Sequence, residues 1–572
     1  MKSSTPIRRQ KSTGSATRPG AAQLISPLIF ILATIALLAT VAAIYSPALD
    51  YQFILDDHHY VGDPRLQSSG HVWEYFTTFV WAQFKGGPAC FYRPLFLLWM
   101  RLNFILCGMS AGGWHLLSIA KHLMATICLG VLVWKLLRDR AAVLLAMTLF
   151  ALHPSHTESV AWISVPDPLM AAAILGSLLL YFRYADAVAG SGKASRKGRK
   201  ADRASPWQWL IASAVICFAA LLAKEAGVVF PVMILALTLV MPIGDNGGPP
   251  THKFRLLGSI RLGLPFLAVT AIYLLLRWRA LGEVVVPTQH LPLRTVLLSS
   301  PATLWFYVKV LLWPVRSRAF GDSIPTDTFS LSGVLFPALA LSCVVAILVW
   351  SLLWSWRKAG RDLSERDAIG VHRALVVGTL MLVLPILLTL NLNNLVPGDF
   401  LHGRYVYLPA AGLALLVATA WRLTNKNRLP LLLVAGLAAI AFTVFTAKQE
   451  GTWKDDLTVF TVAHEIAPRN QPVRLSLSRA RVQFALRLDE EGRCDQRSPF
   501  WKRRPGSIRT SGSPGRASGS VFSKSTICRK PSSRCIEPPT SPTSLASPSN
   551  GSNCGQGWDS VRHLSSQTSS FL

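Results

Sequence analysis

Residues 24–60 read LISPLIFILATIALLATVAAIYSPALDYQFILDDHHY. From Leu24 to Ile44 the run carries no charged residue. It is about as long as the ~20 residues a helix needs to cross a bilayer. Arg8, Arg9, Lys11 and Arg18 precede it. No small-residue cleavage pattern closes the run and many apolar runs follow, so it predicts a first transmembrane helix rather than a removable signal. Its basic N-terminal stretch, residues 1–23, is then cytoplasmic. On the far side the chain meets two adjacent acids, Asp56 and Asp57, within a dozen residues of the hydrocarbon.

The rest of the chain agrees. Of 572 residues, 51% are hydrophobic and only 15% charged, and the mean hydropathy is +0.37. A soluble domain is about one-quarter charged, so a soluble enzyme is excluded and an all-α polytopic membrane protein is expected. Further spans are read at 113–137, 141–160, 167–184, 207–223, 226–241, 256–276, 334–354, 374–392, 405–421 and 429–445, giving about 11 transmembrane helices. The segment Val296–Trp313 carries Lys309, Pro301 and several aromatics and is read as interfacial or re-entrant.

Lys and Arg number 58 against 29 acids, a formal charge of +29. Many of the basic residues cluster in short connectors: Lys135/Arg138/Arg140, Lys193 to Lys200, Lys253/Arg255, Arg357/Lys358/Arg361 and Arg422/Lys426/Arg428. Topology and anionic lipid account for these better than nucleic acid does. Counting 296–313 as a full span would move Arg357 to Arg373 outside, so the eleven-span order is preferred and the C-terminal segment is placed outside. The nine cysteines show no ligand spacing, so neither a disulfide framework nor a metal site follows from them.

After the last span, residues 450–496 have helical, amphipathic spacing that suits one tetratricopeptide (TPR) helix pair. Residues 497–572 change abruptly to Ser, Pro, Arg and Gly. That composition reads as a disordered tail or as the result of a frameshift that truncates a TPR array.

The residues that can carry chemistry fall on one predicted side. Asp56 and Asp57 can serve as general base or bind a divalent cation; the plain alternative is a solvated loop. Arg93, in the same long loop (46–112), can grip a phosphate through its fork or merely snorkel. His153, His156 and Glu158 close the third span. The two imidazoles flank Pro154, which is not a helical ligand pair, and Glu158 can position a loop or act as a second acid. Lys224 and Glu225 sit between two spans and can pair with each other. Arg404 opens the tenth span. Outer acids with outer cations suggest chemistry on a lipid phosphate at the outer leaflet.

At these residues the chain resembles a known family. Asp56-Asp57, Tyr92-Arg93-Pro94-Leu95, Trp114-His115-Leu116 with His122, Phe150 to Pro154, His156 to Trp162, Lys224-Glu-Ala-Gly227 and Arg404-Tyr-Val-Tyr-Leu-Pro409 resemble the transmembrane and TPR repeat-containing O-mannosyltransferase (TMTC) family and its bacterial relatives. Trp453-Lys-Asp-Asp and Pro468-Arg-Asn470 match the point where that family enters its repeats.

The resemblance implies a GT-C glycosyltransferase fold: a membrane helix bundle over 24–446 with outer-face re-entrant or interfacial helices, followed by a truncated TPR-like segment. It implies transfer of a sugar, mannose in eukaryotes, from a polyprenyl-phosphate donor to an acceptor hydroxyl, with inversion. The acceptor would be a protein or a glycan. Asp56 or Asp57 would be the base and Glu158 a second acid orienting the acceptor or a metal. Arg93, Lys224 and Arg404 would offset the departing phosphate, with His153 and His156 supporting. Relatives follow the position of Ser164 with Gly-Arg and an acid, whereas this chain has Val165-Pro166-Asp167. Beside this enzyme stand two other readings, a transporter or flippase of a lipid-linked or anionic solute and a non-catalytic scaffold. Arginine richness and short loops point to a bacterial inner membrane with the site facing the periplasm, or to the ER lumen in a eukaryote.

Overall fold

A computed structural model describes residues 25–83, 91–196, 205–241, 252–284, 290–315, 325–394, 401–424, 428–491 and 493. The basic stretch 1–23 and the tail 497–572 lie outside the described residues. Every regular element among those described is helical. Nine helical segments are long and apolar enough to cross a membrane, with four shorter apolar helices beside them. The chain is a multi-pass membrane protein.

The first span, Pro27–Tyr45, begins where Ser26 accepts the Ile29 N–H through Oγ and Pro27 occupies the first turn. That is a side-chain cap followed by a residue with no N–H to satisfy. Leu28, Ile29, Ile31, Leu32 and Ile35 are exposed. A helix that is apolar all round, with its outer residues unpacked, fits lipid.

The inner helices pack through small and polar residues. Ser177 donates to the Ser213 carbonyl at 2.6 Å and Ser213 returns a bond to the Ser177 carbonyl at 2.7 Å, tying Asp167–Arg196 to Trp207–Ala223. A Cβ on Gly412 would sit 2.6 Å from the Gly378 carbonyl oxygen, so only glycine lets Glu365–Leu388 and Tyr407–Leu423 approach this closely.

One expected span is broken. Residues 141–160 are not one helix: Arg140–Ala151 is followed by a break at His153-Pro154 and a short helix His156–Ala161. Proline lacks the N–H and crowds the preceding turn, which stops the first helix there. The segments expected at 207–223 and 226–241 are the helices Trp207–Ala223 and Glu225–Val240, at nearly the expected bounds and among the shorter apolar helices. Leu293–Leu312 forms one continuous 20-residue helix, apolar enough to cross. Yet His153 Nε2 bonds the Leu311 carbonyl at 3.1 Å, and the Leu291 N–H donates to Asn393 Oδ1 at 2.8 Å. Asn393 lies in the link between Glu365–Leu388 and Tyr407–Leu423, at the bundle end that also holds His153. With both its ends tied there, this helix lies across that end.

The two ends of the bundle are built differently. At one, Lys135 and Arg373 meet Asp186, and Arg422 meets Asp367. At the other, the loop after the first span folds into a cap of short helices, Asp57–Val61, Pro64–Gln67 and Glu74–Thr77, leading into Pro94–Cys107. Buried Arg65 fastens this cap by bonding Asp63, Thr78 Oγ1, the Val80 carbonyl and Gln83. The last described helices after the final span are the pair Asp456–Ile466 and Gln471–Glu490.

Candidate active site

The acid pair sits on a turn that the backbone does not adopt freely. Leu55 has φ +51°, a left-handed conformation that is disfavoured in a residue with a Cβ. Asp57 is buried at 1% exposure. Its Oδ1 accepts the Ser164 N–H at 2.9 Å and the Ser164 hydroxyl. Its Oδ2 accepts the Ile54 N–H at 3.3 Å. Asp56, one residue earlier, is partly exposed. The structure thus separates two acids that looked equivalent in the sequence: Asp57 anchors the turn and Asp56 is the one with access.

Lys121 supports the same anchor and was missed in the sequence reading. It lies within Ala111–Leu137, fully buried, and its ammonium reaches the carbonyls of Ile163 and Val165 at 3.3 and 3.4 Å. Those two carbonyls bracket Ser164. A lysine inside an apolar span is the signal that could have found it.

The three cations expected at a phosphate each meet a carboxylate. Arg93 grips Glu225 through Nε at 2.9 Å and Nη2 at 2.5 Å. Lys224 donates to both oxygens of Asp167 at 2.7 and 2.6 Å. Arg404 reaches Glu158 Oε1 at 3.2 Å. The adjacent residues Lys224 and Glu225 therefore do not pair with each other; each takes a partner from another element. The acid of the departing Val165-Pro166-Asp167 stretch proves to be the Lys224 partner.

These groups share one neighbourhood. Lys224 Nζ lies 5.1 Å from the Tyr405 ring centre and the Arg404 guanidinium 5.5 Å from it. Burial first, then the like charges of Arg93 and Arg404, hold the Lys224 ammonium below the usual lysine range, against the pull of Asp167. The buried Tyr60 hydroxyl feels Arg93 on one hand and Asp56, Asp57 and Asp63 on the other, linking the cations to the acid turn.

Glu158 is fully buried. Besides Arg404 Nη1 it takes the Arg404 N–H on Oε2 at 3.0 Å and His402 Nδ1 on Oε1 at 3.0 Å. It thus joins the short helix His156–Ala161 to the start of the Tyr407–Leu423 helix. His153 bonds Ser155 Oγ at 2.8 Å, and His156 packs against Phe150 and Tyr407. No group of three His, Cys, Asp or Glu side chains among the described residues gathers as a metal site.

Burial pushes the Asp57 carboxyl up to about 7, against the lowering effect of Ser164, Ile54 and His58. Between roughly pH 4 and 7 the folded chain therefore holds a proton that the unfolded chain has lost, and stability falls as pH rises through that window. The slope from this group is at most about 1.4 kcal/mol per pH unit. Unfolding temperatures of detergent-solubilised protein at pH 5 and pH 7.5 should show this fall, and Asp57→Asn should flatten it. A wild-type curve no steeper than that of the variant would contradict it.

No family model matches the sequence. Among curated proteins, similarity is found to Protein O-mannosyl-transferase Tmtc1 of Drosophila melanogaster, 26% identical over 66% of this chain and 50% of that protein. TMTC3 of Mus musculus is 25% identical over 66% of the chain and 41% of its own length. TMTC4 of Homo sapiens is 26% identical over 68% and 55%. The chain spans about half the length of the curated relatives it matches. Among solved structures, an Archaeoglobus fulgidus oligosaccharyltransferase aligns over 78% of this chain and 59% of its own, at 12% identity and a TM-score of 0.37, too remote to carry any inference. Across two-thirds of its length, this chain is similar to the protein O-mannosyl-transferases of the TMTC family, the family its motifs resemble.

Proposed function

We propose that this chain is a membrane glycosyltransferase that moves a sugar from a polyprenyl-phosphate donor to an acceptor hydroxyl, on the non-cytoplasmic side of the membrane. The observation that carries the reading is a set of three buried or half-buried cations, each held by a carboxylate, at the bundle end that also bears the partly exposed Asp56. It occurs in a chain similar to O-mannosyl-transferases.

In this reading Asp56 takes the proton of the acceptor hydroxyl. The acceptor oxygen bonds to the anomeric carbon as the bond from that carbon to the phosphate oxygen breaks, which inverts the centre. The leaving phosphate gains charge, and Arg93, Lys224 and Arg404 are the fixed positive groups for it. Their carboxylate partners hold these cations in place and charged where hydrocarbon would otherwise disfavour them. Among the described residues Arg93 uses Nε and Nη2 on Glu225, leaving Nη1 for a phosphate oxygen. Asp57, Ser164 and Lys121 keep the turn in register. Glu158 acts through Arg404 and His402 rather than on the acceptor. A mannosyl donor and a protein Ser or Thr acceptor are the substrates this reading favours.

The test is a transfer assay with purified detergent-solubilised protein, a panel of radiolabelled polyprenyl-phosphate sugars and unfolded peptide or extracted acceptors. Label should pass from one donor to acceptor, and Arg93→Met should lower the rate by about 10²–10³. No transfer from any donor would overturn the proposal.

A further inference from the structure

The helix pair that follows the last span is wired into the acid turn. Asp456, the first residue of Asp456–Ile466, points its carboxylate back across some 400 positions of chain. Its Oδ1 accepts the Leu55 N–H at 2.8 Å and its Oδ2 bonds His58 Nε2 at 2.8 Å. One carboxylate thus spans the turn from its entry to its exit, and one of its bonds is to the amide of the residue at φ +51°. A left-handed leucine persists only where surrounding contacts over-determine it.

Neighbouring contacts reinforce the bridge. The Gln52 N–H donates to the Lys454 carbonyl at 3.0 Å, Tyr51 donates to Glu450 Oε2 at 2.5 Å and Arg487 reaches Gln52 Oε1 at 2.5 Å. On the opposite flank Trp453 stacks on Trp162, with centroids 6.0 Å apart, and Trp162 lies 4.8 Å under Arg404. Residues 450–456 therefore touch the acid turn on one side and the segment leading to Ser164 on the other.

We infer that Asp456 is a positioning residue for the acid turn, so that the C-terminal helix pair is a working part of the site rather than an appendage. The catalytic consequence rests on the transfer reading above; the mechanical one does not. The bond to Asp456 raises the His58 imidazole above its ordinary range, against burial and the charge of Arg487, with Asp57 adding to the rise. A protonated His58 strengthens the same clasp.

The experiment measures two things on the full chain. Hydrogen exchange over peptides covering residues 51–60 should quicken about tenfold or more in Asp456→Ala. Turnover should fall about 10- to 100-fold in kcat, with little change in donor KM, because a displaced base costs rate more than binding. Asp456→Asn keeps an acceptor for the Leu55 N–H and should fall between Asp456→Ala and wild type in both readouts. It also serves where the alanine variant does not fold. Asp455→Ala is the control: Asp455 caps the same helix by accepting the Thr458 N–H at 2.7 Å. Its loss should lower stability but leave exchange at 51–60 and kcat within about twofold of wild type.

Unchanged exchange at 51–60 in Asp456→Ala would overturn the inference, as would quickened exchange with unchanged kcat. Equal effects from Asp455→Ala would reduce Asp456 to general support of the helix pair, and would also overturn it. A wild-type protein that uses no donor would remove the transfer reading, and exchange alone would then decide whether Asp456 holds the turn.

Discussion

Asp56→Asn is expected to lower turnover by about 10²–10⁴-fold, the usual contribution of a positioned general base, while the unfolding temperature stays near that of wild type. Asp56 is partly exposed, and an isosteric amide keeps its size while removing the basic lone pair. Asp57→Asn should behave differently. Its buried oxygen receives two donors from Ser164, and an amide turned the wrong way would set N–H against N–H. The expected cost is about 1–3 kcal/mol of stability, with activity lost through displacement of the turn. Paired kinetics and thermal unfolding of the two variants separate base from anchor. Full turnover in Asp56→Asn would remove it as the base.

The second large effect is expected at Glu158. Glu158→Ala leaves Arg404 and His402 facing an empty buried site, and breaking a buried ion pair from one side costs about 3–5 kcal/mol. The folded yield from membranes should drop sharply and the remaining protein should unfold at lower temperature. Glu158→Gln retains an acceptor for the Arg404 N–H and should lie between. A stable, well-folded Glu158→Ala would mean that the link between His156–Ala161 and residues 402–404 carries little energy. It would return Glu158 to the role of a second acid acting on substrate.

Much of this arrangement was legible in the chain itself. Apolar runs of bilayer length read as membrane helices without any tertiary information, because in hydrocarbon the backbone must bond within its own segment. The 296–313 segment, expected to be interfacial or re-entrant, is one continuous helix long and apolar enough to cross, with both its ends hydrogen-bonded at one end of the bundle. The 141–160 segment was over-read. Its apolar average outweighed Pro154, whose local steric effect breaks the helix whatever the hydropathy.

The candidate site was legible as a set of residues but not as a set of pairs. Charged side chains near hydrocarbon announce themselves singly, so Asp56, Asp57, Arg93, Glu158, Lys224 and Arg404 could be named from sequence. Which acid meets which cation depends on how helices far apart in the chain pack. The neighbours Lys224 and Glu225 turn to Asp167 and Arg93 for that reason. Lys121 stayed hidden inside an apolar span, and Asp456 lay some 400 residues from the turn it holds. The order of residues was enough to show that the chain spans a membrane and which groups stand at its charged edge. Folding is what makes Asp57 an anchor and Asp56 the more accessible acid, because burial and hydrogen-bond partners are properties of packed neighbours and not of a residue's position in the chain.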